Sequence, residues 1–162
     1  MSEAVFLRHE PFKRDIDDVQ QILQGWGQFR PAEIAVAQEL VLDRLKKRQR
    51  SEYRFIFADR NNKRMIGFAC YGPIAVTVSS FDLYWIAVET SAVGTGIGTT
   101  IMEELLRIVF SQGGTKIFVE TSSRPGYAQA RSFYYRHGFD HICTVPNFYA
   151  PGDDKLILGR SL

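Results

Sequence analysis

Three glycines at alternate positions are the part of the sequence best suited to chemistry. Gly94, Gly96 and Gly98 lie between an apolar segment and an amphipathic one. A diphosphate needs several backbone N–H groups directed at it, and residues without a side chain let the backbone approach closely at the start of a helix. An ordinary tight turn does not require three glycines in this arrangement. The segment therefore predicts an anion-binding loop.

Two other phosphate-binding motifs share some features with this loop. A dinucleotide site also follows a strand and opens a helix, and Glu120 would supply the acid expected about 20 residues later. Its third glycine, however, falls at Thr99, and the loop sits in mid-chain after a run of strands. A P-loop would need a Gly-Lys-Ser/Thr ending, which is missing. An NAD-binding oxidoreductase remains the weaker alternative.

The elements that position the loop follow from hydrophobic periodicity and turn residues. The predicted order is βααβββαβαββ, an α+β arrangement with a mixed, mostly antiparallel sheet flanked by helices. An Asn61-Asn62 turn joins the second and third strands, and Asp15 is expected to cap the first helix. The predicted strands are 4–8, 53–58, 64–71, 81–88, 116–121, 141–145 and 155–158, and the helices begin near residues 15, 31, 98 and 126.

Length and charge narrow the class of protein. The chain has 162 residues and a formal charge of +2, from 20 basic and 18 acidic residues. We expect one domain over residues 1–162, with neither nucleic acid nor a membrane as partner. Cys70 and Cys143 match no metal or redox spacing, and we expect both in the core of a reduced, cytoplasmic protein. The oligomeric state, monomer or homodimer, is left open.

Two longer motifs carry a resemblance to a known family. The chain resembles the GCN5-related N-acetyltransferase (GNAT) superfamily in its acetyl-CoA motif and, further on, in its second motif. The matching residues are Leu83-Tyr84-Trp85-Ile86-Ala87-Val88, then Gly94-Thr95-Gly96-Ile97-Gly98-Thr99 and Met102-Glu103-Glu104-Leu105-Leu106, and in the second motif Ala130-Arg131-Ser132-Phe133-Tyr134-Tyr135-Arg136-His137-Gly138-Phe139.

The resemblance implies a three-layer, GNAT-like acyl-CoA N-acyltransferase fold, with acetyl-CoA as co-substrate and no metal. The coenzyme would lie in a cleft splayed between the strands ending at Val88 and near Thr121. Val93 replaces the family's usual Gln or Arg, and Tyr127 replaces a frequent Asn. The coenzyme-binding residues implied are Ile86, Ala87, Val88, Val93, Gly94, Thr95, Gly96, Ile97, Gly98, Thr99, Thr121, Tyr127, Phe133 and Tyr134.

Acetyl transfer to an amine needs a neutral nucleophile, a donor for the developing oxyanion and a proton for the leaving thiolate. The resemblance implies that the Val88 N–H faces the thioester oxygen and that Tyr134 is the general acid. Asp82 matches the position of a base in histone-type members, and Glu120 is the rival carboxylate. Deprotonation of the amine through a water molecule is the third possibility.

The function expected from this resemblance is acetyl-CoA-dependent N-acetylation by direct attack in a ternary complex. The acceptor would be the amine of an unidentified small molecule or peptide. The alternative is a catalytically silent acyl-CoA-binding or partner-binding module, which the departures at Val93 and Tyr127 favour.

Overall fold

The computed structural model describes residues 4–61 and 64–162. Within them the strands and helices follow in the predicted order, and the α+β class is confirmed. The strands are β1 Val5–Arg8, β2 Arg54–Arg60, β3 Arg64–Pro73, β4 Ser80–Val88, β5 Lys116–Ser122, β6 Asp140–Ala150 and β7 Asp153–Ser161; the helices are α1 Asp15–Trp26, α2 Pro31–Lys47, α3 Ile97–Ser111 and α4 Ala128–Arg136.

The strands form one mixed sheet in the order β1-β2-β3-β4-β5-β7-β6. Strands β4 and β5 run parallel, from Ser80 opposite Lys116 to Leu83 opposite Val119. The pairs β1 with β2, β2 with β3, β5 with β7 and β6 with β7 are antiparallel. In the predicted Asn61-Asn62 turn, Asn61 has a left-handed φ of 53°, whereas Asn62 lies outside the described residues.

The described residues divide into two compact units. The first comprises the chain up to Gly72 together with Trp85–Arg107, and the second comprises Pro73–Tyr84 and Ile108–Leu162. The expectation of a single domain over residues 1–162 stays a prediction. No helix within residues 4–61 and 64–162 is long and apolar enough to cross a membrane.

In the first unit, the apolar faces of α1 and α2 pack with β2 and β3 into one core. Its members include Val19, Leu23, Val41, Phe55 and Phe57, each no more than 1% exposed. Burying one such side chain contributes roughly 1.5–3 kcal/mol. This core therefore holds α1 in place, and the last residue of α1 reaches the candidate site.

A buried ion cluster joins β1, β2 and the start of α1. The Arg8 guanidinium donates to both oxygens of Asp15 at 2.7 Å and to Asp59 at 2.7 and 3.1 Å. The expected capping role of Asp15 is wrong, since the N-cap is Arg14 and Asp15 lies inside the first turn. Its carboxylate instead accepts the Phe12 N–H at 2.6 Å, because the neighbouring guanidinium holds it against the preceding loop.

The second unit has its own apolar core around β5 and the end of α4. Phe81, Ile117, Phe139 and Leu158 are all buried there. The prediction that both cysteines are core residues holds only for Cys70 of the first unit. Burial raises the pKa of the Cys70 thiol, whereas Cys143 is exposed. It lies on β6, the last strand in the sheet order, and nine of the first ten residues of that strand are exposed.

Candidate functional site

The glycine loop has the backbone that its sequence predicts. After β4, a single 3₁₀ turn covers Thr90–Ala92, and helix α3 begins at Ile97. Gly94 and Gly96 have φ of 78° and 87°, in the left-handed region that side chains rarely adopt. The first bond that closes α3 back onto the loop joins the Thr100 N–H to the Gly96 carbonyl at 2.9 Å. The N–H groups of Ile97 and Gly98 lie at the very start of α3, before the first N–H that can find an acceptor within the helix.

The space beside the two left-handed glycines is open. A Cβ atom built on Gly94 or Gly96 would have no neighbouring atom within 4 Å. A hydrogen bond within the loop stabilises its conformation: the Thr95 hydroxyl donates to the Ala92 carbonyl at 2.6 Å. Open space beside helix N–H groups, with the positive end of the helix dipole behind it, suits a diphosphate. These residues therefore suit the pyrophosphate of acetyl-CoA.

Two hydrogen bonds fix the peptide at the end of β4. The Trp26 indole donates its Nε1–H to the Val88 carbonyl at 2.9 Å. The next N–H, that of Glu89, donates to the Ile66 carbonyl at 2.8 Å. The Val88 N–H, on the other side of this residue, is the donor that the family resemblance assigns to the thioester oxygen. Sequence reasoning missed Trp26, because it is 62 residues away from Val88.

Gly67 is a second residue that sequence reasoning missed. A Cβ at this position of β3 would lie 2.9 Å from Val88 Cγ1 and 3.2 Å from the Ala87 carbonyl oxygen. A glycine inside a strand often marks a close approach of another backbone, and that signal was available. Gly67 thus lets the end of β4 pack closely on β3.

Tyr134, in the second unit, lies on the buried face of α4. Only 7% of the residue is exposed, and its ring contacts Phe133 and Phe139 at centroid distances of 5.9 and 5.7 Å. Burial raises the pKa of the Tyr134 hydroxyl. At neutral pH the hydroxyl is therefore protonated and can donate, as a general acid must. The adjacent Tyr135 is 45% exposed.

Asp82 and Glu120 lie on the same face of the parallel pair β4 and β5. Asp82 is opposite Phe118, and Glu120 follows Phe118 by two residues. Burial raises the pKa of the Asp82 carboxyl, and the negative charge of Glu120 raises it further. Glu120 is 3.0 Å from Lys155 Nζ. Asp82 has the pKa direction that a general base near neutral pH requires, whereas Glu120 is engaged by a lysine.

The end of β5 is tied to the loops around it. Thr121 is buried, and the Ser122 hydroxyl donates to the carboxylate of Asp153. Arg131 on α4 donates to the Ser122 and Arg124 carbonyls at 2.7 and 2.9 Å. Arg131, which sequence reasoning did not assign a role, therefore fixes the segment that joins β5 to α4.

Tyr127 lies at the N-cap of α4, and the Arg124 guanidinium is 5.7 Å from its ring. Val93, the other departure from the family pattern, is 38% exposed at the start of the glycine loop. Neither position offers the hydrogen-bonding amide or guanidinium that the family usually has there. The predicted coenzyme contacts of Val93 and Tyr127 stay predictions.

The predicted residues divide between the two units. Ile86, Ala87, Val88 and the loop from Val93 to Thr99 lie in the first, and the other predicted site residues lie in the second; these are Asp82, Glu120, Thr121, Tyr127, Phe133 and Tyr134. Their joint action in one site stays a prediction. In the parts of the chain that the structure describes, no group of three His, Cys, Asp or Glu residues could hold a metal ion.

Comparison with known proteins establishes the family. The model of the acetyltransferase (GNAT) family matches residues 18–139. The chain belongs to this family, and the predicted resemblance and acetyltransferase class are confirmed. The chain is also 29% identical over 73 residues to an uncharacterized N-acetyltransferase of Methanocaldococcus jannaschii. That match covers 45% of this chain and 46% of the relative, so the chain matches about half of that protein.

Solved structures extend the match to nearly the whole chain. A protein of Desulfovibrio desulfuricans assigned to the GNAT acetyltransferases has a TM-score of 0.91 and 38% identity, covering 98% of this chain and 99% of its own. The PaiA N-acetyltransferase of Thermoplasma acidophilum, solved with coenzyme A, has a TM-score of 0.74 and 16% identity, covering 98% and 99%. At that identity the second likeness shows the fold alone.

Proposed function

We propose that this protein transfers the acetyl group of acetyl-CoA to an amine by direct attack in a ternary complex. The observation that carries the proposal is the glycine loop, where two left-handed glycines open onto empty space immediately before helix α3. The loop N–H groups would hold the pyrophosphate, and the coenzyme would supply the acetyl thioester. The family match supports this assignment.

The chemistry assigned to the chain begins at Val88. Its N–H would hold the thioester oxygen as the neutral amine attacks the carbonyl carbon and negative charge develops on that oxygen. The C–N bond forms, the C–S bond breaks, and the amine proton leaves to Asp82 or to water. Trp26 supports this step by holding the neighbouring carbonyl.

Tyr134 is assigned to the leaving group. Its pKa is raised above the ordinary value of about 10, whereas a thiol such as that of coenzyme A resembles cysteine, at about 8.5. Full proton transfer from the phenol to the thiolate is therefore uphill by at least ~2 kcal/mol. We infer that the hydroxyl stabilises the thiolate by donating a hydrogen bond to it. The proton lost by the amine balances the negative charge of the thiolate, so that the overall reaction leaves no net charge.

Turnover on a panel of amines tests the proposal. Purified protein with acetyl-CoA and polyamines, amino acids, aminoglycosides or peptides should release free thiol together with acetylated amine, identified by mass spectrometry. The exposed Val93 favours a second candidate, the silent acyl-CoA-binding module. Coenzyme binding without acetylation of any class of amine would support that alternative and count against acetyl transfer.

A further inference from the structure

One face of the sheet in the second unit is open to solvent. On β4, β5 and β7, every second side chain is buried in the core of this unit; these are Phe81, Leu83, Ile117, Val119 and Leu158. The side chains between them point to the other face of the sheet. They are partly or fully exposed and comprise Asp82, Tyr84, Phe118, Glu120, Lys155 and Ile157. This second face, called the open face below, is therefore within reach of a ligand.

Three apolar side chains adjoin one another on the open face. A Cβ atom built on Gly159 of β7 would lie 3.1 Å from both Ile142 Cγ1 and the Phe118 ring. Because Gly159 has no side chain, these residues of β6 and β5 approach each other across β7. Ile157 is two residues from Gly159 on the same side of β7. Ile142 is 55% exposed. Phe118, Ile142 and Ile157 therefore form an apolar strip that a ligand can contact.

Asp82 lies beside the apolar strip. It is opposite Phe118 in the parallel pair of β4 and β5, and the backbones of paired strands are ~4.8 Å apart. Within the described part of the chain, its carboxylate makes no hydrogen bond or ion pair. The two lysines on this face do not neutralise it, since Lys155 lies 3.0 Å from Glu120 and Lys116 forms no ion pair there. Asp82 is therefore a partly exposed negative charge available to a cation.

We propose that the open face binds the acceptor as a primary amine carried on an apolar group, with the ammonium donating to Asp82 and the apolar group against the apolar strip. The ammonium would supply the missing partner of the carboxylate, and the apolar group would cover surface that is otherwise in water. Only the role of acceptor rests on the proposed acetyl transfer, since binding requires neither coenzyme nor turnover. Asp82 is also a candidate base, so the ammonium would lie beside a group that can take its proton.

An NMR titration of isotope-labelled protein without coenzyme tests the site, with phenethylammonium as the probe. Amide signals around Asp82 and Phe118 should shift and give a Kd. Ethylammonium lacks the ring, and phenethyl alcohol lacks the charge. Each should bind at least about tenfold more weakly, which is 1.4 kcal/mol. Equal binding of ethylammonium would exclude the apolar strip from the site, and equal binding of the alcohol would exclude Asp82.

Two substitutions test the residues directly. Asp82→Asn keeps the shape and removes the charge, so it should weaken phenethylammonium binding about tenfold. Phe118→Ala removes the ring beside Asp82 and should weaken binding to a similar extent. Phe110→Ala is the matched control, because Phe110 belongs to the same unit and is 68% exposed on helix α3. It should bind like the wild type, and equal Kd values for Phe118→Ala and Phe110→Ala would overturn the proposal.

Ile142→Lys keeps the test decisive if Phe118→Ala fails to fold. This exposed position tolerates a polar side chain, and a cation on the apolar strip should weaken binding of the ammonium. Absence of phenethylammonium binding to the wild type would overturn the site, whatever other amines are acetylated. Binding without acetylation after acetyl-CoA is added would overturn the acceptor role. If no other amine is acetylated either, the proposed acetyl transfer fails as well.

Discussion

Replacing Gly96 by leucine should separate coenzyme binding from folding. At φ of 87° a side chain costs about 1–2 kcal/mol, while the open space around Gly96 means that no steric clash adds to it. For a chain of this size each kcal/mol lowers Tm by about 2–4 °C. The variant should therefore fold, melt a few degrees lower and carry its side chain in the space proposed for the pyrophosphate.

Gly113→Leu is the matched control. Gly113 follows the other end of helix α3, has φ of 79° and also has no atom within 4 Å of an added Cβ. Its intrinsic cost should equal that of Gly96→Leu. Acetyl-CoA at 100 times its Kd adds about 2.7 kcal/mol to the stability of a protein that binds it, which corresponds to a rise in Tm of about 5–11 °C.

Differential scanning fluorimetry with and without acetyl-CoA measures both quantities. The wild type and Gly113→Leu should show the full rise in Tm, and Gly96→Leu should show none. An equal rise in the two variants would refute the assignment of the pyrophosphate to this loop. A Gly96→Leu protein that does not fold would show that the loop carries more of the stability than its open surroundings imply.

Three other substitutions have distinct expected results. Tyr134→Phe should lower kcat by about 10²- to 10³-fold, the usual effect of removing one donor to a developing negative charge, with unchanged acetyl-CoA affinity, measured by steady-state kinetics and calorimetry; an unchanged kcat would remove Tyr134 from the mechanism. Asp82→Asn should raise Tm at pH 7, because a carboxyl whose pKa is raised on folding destabilises the folded state once ionised. That gain should shrink as acidification protonates Asp82, and a gain constant with pH would contradict this cause. Arg8→Leu removes the guanidinium from the buried carboxylate of Asp15 and leaves Asp59 with Arg14 at 3.6 Å, so it should cost about 3–5 kcal/mol in urea unfolding; a loss below about 1 kcal/mol would show the ion cluster to be unimportant.

The order of elements was predictable because its signals are local. The two-residue alternation of the strands and the helical spacing of α3 depend on neighbouring residues, and each predicted helix and strand overlaps the observed one. The left-handed backbone of Gly94 and Gly96 was implied for the same reason, since only glycine adopts it at little cost.

The wrong predictions concern residues whose surroundings in the fold are set by residues far away in the sequence. The sequence neighbours of Cys143 include the apolar residues Ile142 and Val145, as in a strand that faces a core. All three residues are nevertheless exposed on β6. The position of β6 in the strand order decides whether its side chains are exposed. No local sequence pattern indicates which strand lies at the edge of the sheet. Asp15 has the residue type of a helix cap, but its carboxylate is bound by Arg8. Arg8 is seven residues earlier in the chain, so the local sequence does not indicate this contact.

The Val88–Glu89 peptide is held in place next to the proposed oxyanion donor. Its carbonyl is held by Trp26 and its N–H by the Ile66 carbonyl, so both polar groups of one peptide plane are restrained without any ligand. The proposed oxyanion donor, the Val88 N–H, belongs to the adjacent Ala87–Val88 peptide. Catalysis by such a donor depends on prior orientation, because a donor that must reorganise during the reaction loses much of its effect. The two bonds restrain the Val88 N–H through the Cα atom that both peptides share, so loss of the Trp26 indole should lower the rate of acetyl transfer.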